Sequence, residues 1–265
     1  MEISDLDYTS EGLKNEYETN NVVAGIGMGL SETEEGSFPD NKTQNPMRLD
    51  LEVLYPAYVY ECLGINPYDL KRRKESINDI ESAIKETRVV GFKIYAGYYP
   101  FHVYDTVYEP IYELAEKHNL PVVIHSGDTY SERGLLKYSH PLHIDELAVF
   151  HRNINFVVAH LGDPWVMDTA EILLKNRNVF ADLSGLIVSD EYKAKEYINQ
   201  KTFIEHFQRA IFYSETYDKL LFGTDWPLVQ VKPYIEFIKK IVPEKHYEDI
   251  FYNNANSLFK LFKEG

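Results

Sequence analysis

The sequence predicts an α/β chain, a TIM-type (β/α)8 barrel lacking its first β-strand, and three observations carry that prediction. Short β-rich runs ending in Gly, Ser, His or Asp alternate with longer stretches of helical periodicity. The 265 residues are close to the roughly 250 of an eight-fold β/α barrel, which favours one domain over residues 1–265. Seven such runs stand out, one short of the number that closes the barrel.

In order, polar Met1 to Asp7 and a helical stretch from Tyr8 to Asn20 lead into the first run, Val22 to Met28. The polar stretch Ser31 to Asn45 reads as a long loop. The later runs are Tyr55 to Leu63, Val89 to Tyr95, Pro121 to His125, Asn155 to His160, Val179 to Leu183 and Leu220 to Gly223. Helical periodicity covers Asp69 to Thr87, Thr106 to His118, Pro141 to Arg152, Pro164 to Asn176, Glu191 to Thr216 and Val231 to Ile241. Asp69 and Asp163 sit where N-caps are expected, Asp163 with proline following at the first turn. Pro243 to Lys263 closes the chain as one or two helices, and neither repeats nor low-complexity segments occur. The missing strand is expected before Met1; a strand overlooked inside the chain is the alternative. An open barrel would leave unpaired edges, and a homodimer across them is the assembly such a chain offers.

With 44% hydrophobic residues, 14% aromatics and 21 Tyr, the chain has ample material for a core. Its 42 acidic and 27 basic residues give a formal charge of -15, which excludes nucleic acid and anionic lipid as partners in the absence of a basic patch. The one basic cluster, Lys71 to Lys74, runs into Glu75 and reads as a solvated helix face. Cys62 is the single cysteine, in an apolar run, and reads as a small buried thiol rather than a nucleophile. With no leader and no apolar run of about 18 residues, the expectation is a cytoplasmic protein without a membrane partner, acting on a small molecule.

In β/α barrels the chemistry sits where the strands end, so polar residues terminating apolar runs carry the information. Four runs end so: Phe92-Lys93-Ile94-Tyr95, Val123-Ile124-His125-Ser126-Gly127-Asp128, Val158-Ala159-His160-Leu161-Gly162-Asp163 and Gly223-Thr224-Asp225-Trp226-Pro227. Two imidazoles and a carboxylate at one rim suit Zn2+ or a similar divalent ion. Such an ion would activate water for hydrolysis.

The last three of these strings, in this order, resemble the amidohydrolase-related branch of the amidohydrolase superfamily, the branch that includes decarboxylases of aminocarboxymuconate semialdehyde and of hydroxybenzoates. The resemblance runs over nearly the whole chain. It implies a divalent metal, Zn2+ first and Mn2+ second, with His125 as a ligand, His160 as a ligand or the handler of the water proton, and Asp225 as a ligand that doubles as general base. Lys93 would be carboxylated and bridge two metals, anchor an anionic substrate, or point into the barrel. The family's first strand normally ends in a metal-binding His-x-His, and no His-x-His occurs in these 265 residues. His140 and His143 are the only close pair; Pro141 fits a helix start and Leu142, Ile144 and Leu147 a buried face, so they read as structural.

Tyr95, Tyr98, Tyr99 and Phe101 could wall a substrate pocket or pack their loop, and Trp226 could cover the pocket mouth or cap the core. Asp128 and Asp163 could orient a ligand, with capping preferred for Asp163. His102, His118, His151, His206 and His246 are expected to pack or face solvent. The function expected is a metal-dependent hydrolase of a small carboxylated, amide or lactone-like substrate. Non-oxidative decarboxylation on the same scaffold and a metal-poor, non-catalytic barrel are the alternatives.

Overall fold

Residues 7, 9–29, 58–72, 75–85, 88–129 and 131–262 are described by a computed structural model, and within them the seven apolar runs become seven strands. These are β1 (Gly25–Met28), β2 (Val59–Ile65), β3 (Val89–Ile94), β4 (Val122–Ile124), β5 (Phe156–Val158), β6 (Val179–Asp182) and β7 (Leu220–Leu221). They form one parallel sheet in the order β1 to β7. Parallel strands covered on both faces need apolar residues throughout, and β3, β4 and β5 are buried at every position. Among the described residues β1 pairs only with β2 and β7 only with β6, so the sheet curls into a barrel left open between its first and last strands. One more strand would close it, as the sequence count predicts.

Among the described residues ten α-helices accompany the sheet: α1 (Ser10–Thr19), α2 (Pro67–Arg72), α3 (Glu75–Ala83), α4 (Glu109–His118), α5 (Leu142–Phe150), α6 (Val166–Lys175), α7 (Glu191–Asn199), α8 (Lys201–Ser214), α9 (Val231–Ile241) and α10 (Asn254–Phe259). Helix α1 starts where the Thr9 hydroxyl accepts the Gly12 N–H at 3.1 Å, and α7 where Asp190 accepts the Lys193 N–H at 2.8 Å. Among the described residues no helix is long and apolar enough to cross a membrane.

Several sequence boundaries change. The helix expected over Glu191 to Thr216 is two, broken at Gln200, whose extended backbone (ψ 110°) cannot continue a helix. That over Asp69 to Thr87 is α2 and α3, with Asp69 inside the first turn of α2 rather than capping it. Asp163 is not a cap either: α6 is entered from Trp165, and the Asp163 carboxylate instead meets His206 Nε2 at 2.8 Å. Leu142 is 47% exposed, so only Ile144 and Leu147 of its expected buried face are buried. The Ser31 to Asn45 loop, residues 55–57 of the second run, and residues 1–6 lie outside the described residues.

Strand alternation sorts side chains into two layers. Phe92, Ile94, Val122, Ile124, Phe156, Val158, Val179 and Ala181 face the helices. Cys62, Val123, Val157 and Leu221 face the interior, where Leu258 and Phe259 of α10 join them. The last helix thereby plugs the interior near the strand starts. Gly91 makes room for it: a Cβ there would lie 2.9 Å from Cys62 Sγ and 3.5 Å from the Phe259 ring. Tyr60 Oη clamps the same segment by donating to the Leu261 carbonyl at 2.9 Å.

Candidate active site

Toward the strand ends the interior becomes ionisable. Inward-facing Gly91 is followed two residues on by Lys93, Val123 by His125 and Phe180 by Asp182, the spacing that keeps a side chain on one face of a strand. Lys93 is 2% exposed, with Nζ 5.4 Å from the centre of the Tyr95 ring. Burial lowers its pKa, against the opposing pull of Asp182 and Asp225.

His125 is 6% exposed. Its Nε2 lies 2.9 Å from the Asp128 carbonyl, an acceptor, so Nε2 carries the hydrogen. Its ring centre is 5.0 Å from that of His160 and 4.8 Å from that of Tyr98, both edge-on. Burial pushes its pKa well below the ordinary histidine value, with His160 and Lys93 adding to the effect. The neutral ring is the stable form.

His160 does not end a strand. Strand β5 stops at Val158, and His160 (φ 59°, ψ 28°) and Leu161 (φ 49°, ψ 15°) turn the chain through left-handed backbone. Asp182 holds that turn: its Oδ1 accepts the His160 N–H at 3.0 Å, the Ser184 N–H at 3.0 Å and the Ser184 hydroxyl at 2.5 Å. The His160 Nδ1 in turn lies 3.0 Å from Ser184 Oγ and 3.1 Å from the Ser184 carbonyl. Asp225 also has positive φ (65°), just beyond β7. The Gly185 N–H reaches the Thr224 carbonyl at 3.4 Å, so the loops bearing Ser184 and Asp225 are joined.

Tyr98 stands edge-on against His125, whereas Tyr95 is tied down, its hydroxyl donating to the Met28 carbonyl at 2.6 Å. Trp226 is half-buried, and its indole N–H has no partner among the described residues. His143 packs on His102 (4.7 Å between ring centres) and His140 on Trp165 (4.7 Å). Clefts of about 280 Å³, lined by Tyr104, Tyr112 and Phe150, and about 530 Å³, lined by Leu70, Phe101 and Pro110, contain none of the rim residues.

Asp182 and Ser184 escaped sequence reasoning. The signal was there: a carboxylate inside the apolar run Val179 to Leu183, at an inward position, with a serine two residues on.

Among the described residues no three His, Cys, Asp or Glu side chains converge as a metal-holding group, so His125, His160 and Asp225 are not brought together as one. His125 Nε2 is engaged by a carbonyl and His160 Nδ1 by Ser184, which leaves one nitrogen of each ring unengaged. Catalytic zinc generally takes three protein ligands, and the described residues do not fit that requirement.

Residues 68–261 match the amidohydrolase family model. No curated protein matches the sequence. Among solved structures, the chain is similar to an uncharacterised TIM-barrel protein from Bordetella bronchiseptica, at 18% identity and TM-score 0.65, over 95% of this chain and 82% of that one. It is similar also to 5-carboxyvanillate decarboxylase from Sphingomonas paucimobilis, at 16% identity and TM-score 0.61, over 93% and 82% of the two chains. A third, 5-carboxyvanillate decarboxylase from Novosphingobium aromaticivorans, complexed with manganese, has 17% identity and TM-score 0.53, over 78% and 65%. At these identities the structural likeness establishes the barrel fold.

Proposed function

The chain belongs to the amidohydrolase family, and from that premise we propose that it is an enzyme hydrolysing a small, carboxylate-bearing ester, lactone or amide at the strand-end rim. The observation that carries the reading is the meeting of buried Lys93, buried His125, and His160 in a backbone turn held by Asp182. Ionisable groups gathered in a desolvated interior, above an apolar plug, are the signature of a site rather than of a core.

In this reading the Lys93 ammonium holds the substrate's carboxylate, and Tyr98 and Trp226 bound the pocket. His160 takes a proton from water as the water oxygen bonds to the substrate's carbonyl carbon. The proton then passes, with Asp225 assisting, to the leaving oxygen or nitrogen as its bond to that carbon breaks. Zinc is the ion we propose for imidazole and carboxylate donors of this kind, ahead of manganese, and the described residues alone supply fewer than the three ligands it generally takes.

A second reading, decarboxylation, takes support from the names of two of the structural neighbours. There the carbon–carboxylate bond would break, CO2 would leave, and the ring carbon would take its proton from the same histidine. Assay in 18O-labelled water of a panel of carboxylated lactones, amides and hydroxybenzoates separates the two. We expect label in the product's new carboxyl group. Release of CO2 with no label taken up would overturn hydrolysis in favour of the lyase.

A further inference from the structure

We infer that Ser184 is a positioning residue that fixes His160 in a single tautomer, with the proton on Nδ1 and the lone pair on Nε2. The argument is one of counting protons. A serine hydroxyl has one hydrogen to give, and at 2.5 Å from Asp182 Oδ1 that hydrogen goes to the carboxylate. Toward His160 Nδ1, 3.0 Å away, the Ser184 oxygen can therefore only accept. The other neighbour of Nδ1, the Ser184 carbonyl at 3.1 Å, is likewise an acceptor. Both partners demand a hydrogen on Nδ1, and a neutral imidazole has only one, so Nε2 is left as the base.

The surroundings hold the ring to that choice. Asp182 Oδ1 also accepts the His160 and Ser184 backbone N–H groups at 3.0 Å, so the same oxygen that orients the hydroxyl fixes the turn carrying the ring. Gly185 (φ 66°) lies flat beneath it: a Cβ there would sit 2.5 Å from His160 Nδ1 and displace the imidazole. A Cβ at Gly223 would press on Ser184 Cβ at 2.9 Å, so the Asp225 loop backs the serine. Asp182, Ser184 and Gly185 thus act through His160, without needing to touch substrate.

The inference rests on the proposed role of His160 only for its consequence for turnover; the tautomer itself is read independently. The full chain labelled with 15N-histidine, at about pH 8.5 where imidazoles are neutral, is observed by long-range 1H–15N correlation, with His160→Gln identifying the signals. We expect His160 to show a protonated Nδ1 and a lone-pair Nε2. In Ser184→Ala the ratio of that form to the Nε2–H form should fall about fivefold, the effect of one neutral hydrogen bond, and Ser184→Thr should restore it. A protonated Nε2 in the wild type, or a Ser184→Ala spectrum identical to wild type, overturns the inference. If the tautomer shifts as expected but His160→Gln turns over substrate at the wild-type rate, the positioning stands and the reading of His160 as base fails.

Discussion

The two ends of the barrel interior are built on the same strands and differ in chemistry, one apolar and the other ionisable. Near the strand starts, Gly91, Val123 and Leu221 surround Leu258 and Phe259 in an apolar plug; two residues further along stand Lys93 and His125, and Asp225 lies in the loop beyond β7. Position along the strand, more than composition of the strand, separates what stabilises from what reacts. Substitutions at one end should move stability and leave chemistry, and at the other the reverse.

The largest expected effect is at the reactive end. His160→Gln should lower kcat/KM by about 10²–10⁴-fold, the usual worth of a general base, while the thermal midpoint stays close to wild type; a large loss of stability instead would erase the distinction between the ends. At the plug, Phe259→Ala should cost about 3–5 kcal/mol in denaturant titration, as for a large buried aromatic. Lys93→Met comes next. Removing a desolvated ammonium in favour of an apolar chain should leave stability unchanged or raise it by about 1–3 kcal/mol while abolishing binding of anionic substrates, so a destabilised variant would mean that Lys93 belongs to the structural end after all.

The smallest effect is a pH dependence. The folded pKa of His125 lies well below the ordinary value, so below about pH 6.5 the unfolded chain binds a proton that the folded one does not. The stability contributed by its neutral form is complete above that pH and is lost as pH falls toward the depressed folded value. Denaturant titrations between pH 7 and pH 5, with His125→Gln as reference, should show a shallower acid slope in the variant.

Much of this contrast was legible in the sequence. Buried parallel strands announce themselves as apolar runs bounded by turn residues, which is why all seven were found, and Lys93, His125, His160 and Asp225 stood out as candidates because each lies at or just beyond the end of such a run. Asp182 was missed because a carboxylate within an apolar run, as in Val179 to Leu183, looks like a strand position, and only the curl of the sheet aims it inward at a histidine 22 residues earlier. The break at Gln200 was illegible too, since the periodicity of α7 and α8 runs through it. Nor could periodicity reveal that α10 enters the barrel, because an apolar helix face looks the same whether it packs outside a sheet or within one.

That entry ties distant parts of the chain together: Tyr60 bonds a carbonyl 201 residues away. Contacts of such separation close large loops and form late, after the neighbouring β/α units have condensed. Interactions absent from the folding transition state govern the rate of unfolding rather than of folding. The last helix should therefore set the lifetime of the folded chain: weakening it would shorten that lifetime against proteolysis and heat while leaving the speed of refolding almost untouched.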